Sequence, residues 1–205
     1  MKKLNLKKEY KDYFTASQKN PVLVNIQKSN YLCVSGADDP NTSKAYQQAI
    51  EMLFTVSYTL KFAIKKGDFA IDYGVLPLEG LWWVDNMAEF DINNKSNWQW
   101  KAMIMQPEFI TQELVLDAIE QVKKKKGLSN LNQISYESIT EGLSVQLLHI
   151  GPFADEGPTI ERLHQFMNDN GYDFNGHHHE IYLSDIRRSA PEKLKTIIRQ
   201  PIKKK

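Results

Sequence analysis

His177 to Asp185 reads HHHEIYLSD. As a β-strand, its side chains alternate between two faces. One face carries His178, Glu180, Tyr182 and Ser184; the other carries His179, Ile181 and Leu183. The second face calls for a core. The first places a carboxylate between an imidazole and a phenol near mid-strand, where a plain structural strand would carry apolar side chains. A carboxylate there is costly unless something pairs with it or uses it. A Glu on an edge strand facing water is the bland alternative.

A second stretch, Glu79 to Asp85, reads EGLWWVD, and its surroundings repeat those of the first. YLCVSG (Tyr31 to Gly36) is strand-like and leads through Asp38, Asp39 and Pro40 into a helical run; LSVQLLHIG (Leu143 to Gly151) leads likewise through Asp155, Glu156 and Pro158. Each half then gives a Glu-to-Asp strand and closes on a strand ending Gln-Pro, at Pro107 and Pro201. The order strand–helix–strand–strand thus occurs twice. The expected fold is α+β. Two βαββ units form a pseudo-twofold, concave antiparallel sheet with helices packed on the other side. One domain over 1–205 is expected, with repeats at about 30–107 and 143–201 and an N-terminal arm over 1–29. Glu79 is matched to Glu180, with Gly80 as an extra, bulged residue.

Within the repeats, Ala49, Leu53, Val56, Leu60 and Ile64 recur at helical spacing after possible caps at Asn41, Thr42 or Ser43. Gly67 ends that helix. Phe69 to Leu76 is an expected strand, and Asp85 to Asn97 a polar loop. A second helix runs from Thr111 to about Lys126, closed by Gly127. Ile134–Ile139 and Leu143–Ile150 read as a hairpin through Glu141-Gly142. The last helix spans about Gly157 to Asn170.

Lys and Arg number 26 against 25 Asp and Glu, so nothing points to a nucleic-acid footprint. The lysines at 123–126 complement a helix C-terminus, and those at 203–205 read as a solvated tail. One cysteine, Cys33, rules out a disulfide framework within the chain. No run approaches the ~18 apolar residues of a membrane span, and the N-terminus lacks a signal-peptide core. Residence in the cytoplasm is the default expectation.

Three consecutive histidines invite a metal reading, but only His177 and His179 share a strand face and no further ligand is placed near them. No metal or cofactor is called for. Gly-rich phosphate loops and the Gly-x-Ser-x-Gly elbow are absent from the sequence. All four tryptophans, Trp82, Trp83, Trp98 and Trp100, fall within one short segment. Alternation sends Trp82 and Trp83 to opposite faces and keeps Trp98 and Trp100 on one. A tryptophan-rich core accounts for part of this. Flat aromatic walls around one carboxylate also suit a planar, often cationic ligand. Tyr46 and Tyr58 flank the first long helix, where they serve either core or ligand.

PLEGLWW (Pro77 to Trp83), HIGPF…DEGPTI (His149 to Ile160), HHEIYLSD (His178 to Asp185) and APEKLKTIIRQPIKK (Ala190 to Lys204) together resemble the GyrI-like small-molecule-binding proteins of the SOUL/GyrI-like superfamily. The resemblance covers both halves and is closest to the free-standing branch without a helix-turn-helix. It implies a duplicated βαββ fold with a ligand cleft between the repeats, faced by the carboxylate of a Glu-x-Tyr strand, here Glu180 and Tyr182. Relatives fused to DNA-binding domains use the cleft as a multidrug sensor. Some free-standing members are cyclopropanoid cyclopropyl hydrolases, which open the strained ring of DNA-alkylating compounds.

The expected site therefore has Glu180 as general base and Tyr182 or His178 as water-positioning or proton-donating partner. Glu79, Trp82, Trp83, Trp98, Trp100, His149, Phe153, His178 and Tyr58 are its expected ligand-binding residues. The expected partner is a planar aromatic or amphiphilic small molecule, with no nucleic acid and no membrane, and a monomeric or homodimeric state. A non-catalytic multidrug-binding or sequestering protein is the alternative. A module that inhibits a protein partner is a third class.

Overall fold

Continuous antiparallel pairing dominates the computed structural model, which describes residues 1–85, 97–126, 128 and 130–205. Strands β1 (Lys2–Leu4), β2 (Val22–Ile26) and β3 (Ser29–Ala37) are followed by helix α2 (Lys44–Lys66), with the single-turn α1 (Leu6–Glu9) between β1 and β2. Then come β4 (Ile71–Tyr73), β5 (Leu78–Trp83), β6 (Gln99–Gln106) and helix α3 (Gln112–Lys126). The second half gives β7 (Ser135–Ile139), β8 (Gly142–Ile150), α4 (Gly157–Asp169), β9 (Tyr172–Phe174), β10 (His178–Tyr182) and β11 (Lys195–Lys204). The polar loop expected before Asn97 and the Gly127 helix stop lie largely or wholly outside the described residues.

The sheet runs β2-β8-β11-β10-β5-β6-β3-β7, with β9 on β11. Its centre is the antiparallel pair β10–β5, flanked on one side by β11 and β8 and on the other by β6 and β3. The fold is thus α+β, from two βαββ units about a pseudo-twofold axis. Aligning Gly36 with Gly151 and Gln106 with Gln200 fits both ladders. Ile104 then matches Ile198, and these pair with Leu78 and Glu180 respectively. Leu78, not Glu79, is therefore the counterpart of Glu180. Gly80 is no bulge either, since it pairs in register with Glu180 and with Ala102.

The expected β7–β8 hairpin does not form. The ladder Val22↔Gln146 to Ile26↔Gly142 continues, in the same register, as Ser29↔Ile139 to Cys33↔Ser135. The ribbon β2–β3 crosses the ribbon β7–β8, and the sheet wraps until its ends meet. Gly142, at φ +66, sits at that crossing. Val22–Ile26, within the expected N-terminal arm, is thereby a sheet strand.

Ser43 caps α2 by accepting from the Tyr46 N–H, and Gly67 ends it. Its buried stripe includes Ala49, Leu53, Val56, Leu60 and Ile64, as the periodicity predicts. It packs over β3 and β6, and α4 packs over β8, β9 and β11. Leu163 and Met167 of α4 meet Val145, Leu147 and Ile198 in a second, smaller core. Of the strand expected over Phe69–Leu76 only Ile71–Tyr73 forms, pairing in parallel with β1. Lys203 and Lys204 are not a free tail but pair with β9. Among the described residues, no helix is long and apolar enough to cross a membrane.

Candidate functional site

Residues directly opposite in an antiparallel pair share a face. His178 opposes Trp82, and Glu180 opposes Gly80. Trp82 opposes Trp100, and Gly36 opposes Trp100 in turn. His178, Glu180, Tyr182, Trp82 and Trp100 therefore share the sheet's outer face, the one that carries α2 and α4. Those helices cover the flanking strands and leave β5 and β10 between them as the floor of a groove.

Within the groove, Tyr182 donates its phenol proton to Glu180 Oε2 at 2.8 Å. His178 Nε2 lies 3.2 Å from Glu180 Oε1. The carboxylate is clasped from both sides by its own strand, at the i−2 and i+2 positions that alternation supplies. Burial, then the Glu180 charge, holds the Tyr182 phenol well above the ordinary tyrosine range; the Tyr46 and Glu156 side chains push the same way. Tyr182 is thus a proton donor rather than a phenolate at neutral pH.

Aromatic rings close the groove. Tyr46 from α2 lies 5.5 Å from the Trp82 ring and meets Trp100 edge-on at 5.0 Å. Trp98 follows at 5.7 Å from Trp82. On the α4 side Phe153 meets Tyr182 edge-on at 5.5 Å. Gly80 has a packing reason to be glycine, because a Cβ there would stand 2.9 Å from Trp82 Nε1. Gly36 has the same reason under Trp100, with a Cβ 2.3 Å from the ring. Glu180 is only 9% exposed, and Trp82 and Trp100 are buried beside it. A recess of about 420 Å³ beside β1 and β4, with Lys3, Lys61 and Asp72 in its lining, contains none of these groups.

Other expected ligand residues are placed less simply. His149 shares the outer face, but its ring nitrogens lie 3.0 Å from Thr159 Oγ1 and 3.1 Å from the Pro152 carbonyl, which fixes the ring structurally. Tyr58 is 48% exposed on α2, where its ring stacks on Phe54 at 6.4 Å. Trp83 turns to the opposite face and stacks on His177 at 4.4 Å.

Glu79 is the clearest correction. It points into the wrapped interior, away from Glu180, with 1% exposure. There His179 Nε2 lies 3.0 Å from Glu79 Oε2, and His179 Nδ1 lies 2.9 Å from Glu141 Oε1. Arg199 adds Nη1 at 3.3 Å from Glu141 Oε2, and donates through Nε to Gln146 Oε1 and through Nη2 to the Tyr13 carbonyl. His179 Nδ1 is hydrogen-bonded to Glu141, whereas Nε2, though close to Glu79 Oε2, is not aligned for a hydrogen bond. Burial alone would push the His179 pKa down. Glu141 and Glu79 outweigh it and raise the group to about 9. Glu141 is lowered to about 2 against its own burial, by His179 and then Arg199. The two histidines that share a strand face are thus committed, one to this cluster and one to Trp83.

Two groove residues escaped the sequence reading of the site. Tyr46 had a signal, being aromatic on a helix flank, and its ring meets those of Trp82 and Trp100. Glu156 is 3% exposed at the N-terminus of α4, with its charge acting on the Tyr182 phenol. Its signal was only a Glu where a helix cap prefers a shorter side chain.

The model of the GyrI-like small molecule binding domain matches residues 19–203. The chain belongs to the GyrI-like family. An uncharacterized conserved protein from Listeria innocua is similar at 36% identity and a TM-score of 0.91, over 98% of this chain and all (100%) of that one. Two structures of proteins described as hydrolases, also from Listeria innocua, are each 35% identical over 98% of this chain and 100% of theirs, with TM-scores of 0.85 and 0.88. No curated protein sequence matches the chain. In the GyrI-like frame, the Glu180 groove is the natural place to seek the small-molecule site.

Proposed function

We propose that this GyrI-like protein binds a planar, largely apolar small molecule in the Glu180 groove and hydrolyses a strained cyclopropane in it, of the kind found in DNA-alkylating compounds. The clasp of Glu180 by Tyr182 and His178 on an aromatic floor carries the reading. The similarity to two Listeria proteins described as hydrolases supports it.

Glu180 takes a proton from water, and the water oxygen bonds to a ring carbon. The strained C–C bond breaks, and its electron pair moves onto a conjugated carbonyl, whose oxygen is protonated by Tyr182 or His178. Ring strain supplies driving force, so positioning and one base suffice. Tyr46, Trp82 and Phe153 hold the ring system.

The test is mass spectrometry of cyclopropane-bearing alkylators incubated with the protein. A product one water heavier is expected, and Glu180→Gln reduces its formation by roughly 10²–10⁴-fold while sparing affinity for a neutral planar ligand. Full turnover in Glu180→Gln would remove the assigned base. The alternative, a non-catalytic binder, is favoured by one feature: both Glu180 oxygens are already engaged, which suits a fixed counter-charge for a cationic ligand. Under that reading the wild type forms no product, and Glu180→Gln weakens cationic ligands selectively.

A further inference from the structure

The reverse side of β10 carries the interior charges, which the proposed chemistry does not use. Glu79, His179 and Arg199 are each no more than 1% exposed. A pair of ions this deep is seldom a net source of stability against a well-packed apolar replacement. Its position offers another use. His179 lies between His178 and Glu180 in sequence, and its side chain points the opposite way. Its Nε2 lies 3.0 Å from Glu79 Oε2 of β5, a charge contact without hydrogen-bond alignment, and its Nδ1 is hydrogen-bonded to Glu141 at the crossing of the two ribbons, where Arg199 also holds the Tyr13 carbonyl.

We propose that His179 is a positioning residue: held from inside by its contacts with Glu141 and Glu79, it fixes the twist of β10 and so the aim of Glu180 and His178 in the groove. β10 is five residues long, with a turn at Asn175-Gly176 before it and a loop from Leu183 onward after it. Its two ladders fix register and facing, while the twist between neighbouring strands varies over about 10–35° among sheets. Along that axis alternate side chains move in opposite senses. A twist that lets His179 leave its carboxylates swings Glu180 and His178 away from their present contacts. The clasp around Glu180 consists of two contacts, at 2.8 and 3.2 Å, and such contacts weaken steeply with misalignment.

The kinetic arm of the test rests on the hydrolase reading; the structural arm does not. Glu79→Gln keeps the shape beside His179 but removes one of its two negative partners, and His179→Gln removes the imidazolium. Crystal structures of both variants are expected to keep the β5–β10 ladder while the Tyr182–Glu180 and His178–Glu180 contacts are lost or lengthened. In Glu79→Gln, which is the milder change should His179→Gln fail to fold, kcat falls roughly 10- to 100-fold with KM little altered. The alkaline limb of its pH profile also moves to lower pH. That limb reports His179 among the groups that face it: Glu79 from β5, Glu141 from the ribbon crossing, Arg199 from β11, Tyr31 and Cys33 from β3 and Lys101 from β6. A Glu79→Gln structure with both groove contacts intact would overturn the proposal. So would an unmoved alkaline limb in an active variant. If the wild type shows no turnover, the hydrolase reading fails, and the two groove contacts alone decide this one.

Discussion

Two glutamates on the two central strands meet opposite fates. Glu180 faces the groove and is met by a phenol and an imidazole. Glu79, one residue along from Glu180's ladder partner Gly80, faces the interior and lies against His179 in a cluster with Glu141 and Arg199. The difference shows what a carboxylate costs on each side of one sheet. Inside, charge calls for opposite charge, because the side chains are cut off from bulk solvent. In the groove, oriented donors and partial access suffice, and the carboxylate keeps the capacity to take a proton or face a cation. Under the proposed function, one side serves architecture and the other ligand chemistry.

The sharpest way to break this contrast is to remove one interior cation. Arg199→Met leaves Glu79 and Glu141 with His179 alone, and strips partners from Gln146 and the Tyr13 carbonyl. Breaking a buried ion pair from one side costs about 3–5 kcal/mol. Urea unfolding should show a loss of that size, against about 1 kcal/mol or less for Glu180→Gln in the groove. Equal losses in the two variants would mean that the sides do not differ as described.

A smaller effect follows from titrating the same cluster. The His179 pKa is raised, to about 9, above its ordinary value. Its contribution to stability is therefore fully present below about pH 6.5 and is lost as pH rises through about 9. The shift corresponds to on the order of 3 kcal/mol. Unfolding free energy measured between pH 6 and 10 should fall across this window in the wild type, and should fall less in His179→Gln. An alkaline decline of the same size in both would place its cause elsewhere.

How far this division could be read from the chain depends on the interaction concerned. Alternation placed Glu180, His178 and Tyr182 on one face, because strand geometry is local. The same rule separated Trp82 from Trp83. It could not say that Glu79 falls on the inner face, since that depends on register with β10, and matching Glu79 to Glu180 by residue type was wrong by one position. The wrapping of β2–β3 across β7–β8 was equally hidden: a short gap with Gly142 imitates a hairpin turn, and only the partner strand decides. Arg199, set in the apolar run TIIRQPI, was the visible sign of interior charge. An arginine there needs a buried anion, and Glu141 supplies it from a segment that reads as a turn.

The smallest expected effect refines the groove side of the comparison. Phe153 is the α4-side wall, edge-on to Tyr182 at 5.5 Å and 36% exposed. Phe153→Leu keeps apolar bulk but removes a ring whose contacts with other aromatics are worth about 0.5–1.5 kcal/mol beyond area. Being partly exposed, the residue adds little to folding, so unfolding should barely change. Affinity for a planar ligand, read by quenching of tryptophan fluorescence, should drop by roughly 2- to 10-fold. A neutral and a cationic planar dye should lose affinity alike, because the ring and not the Glu180 charge has been altered. A loss confined to the cationic dye would mean that Phe153 acts through Tyr182 on the carboxylate, and the groove would then be one electrostatic unit rather than a base beside a wall. Unchanged binding of both dyes would place the ligand on the Tyr46 and Trp82 side alone.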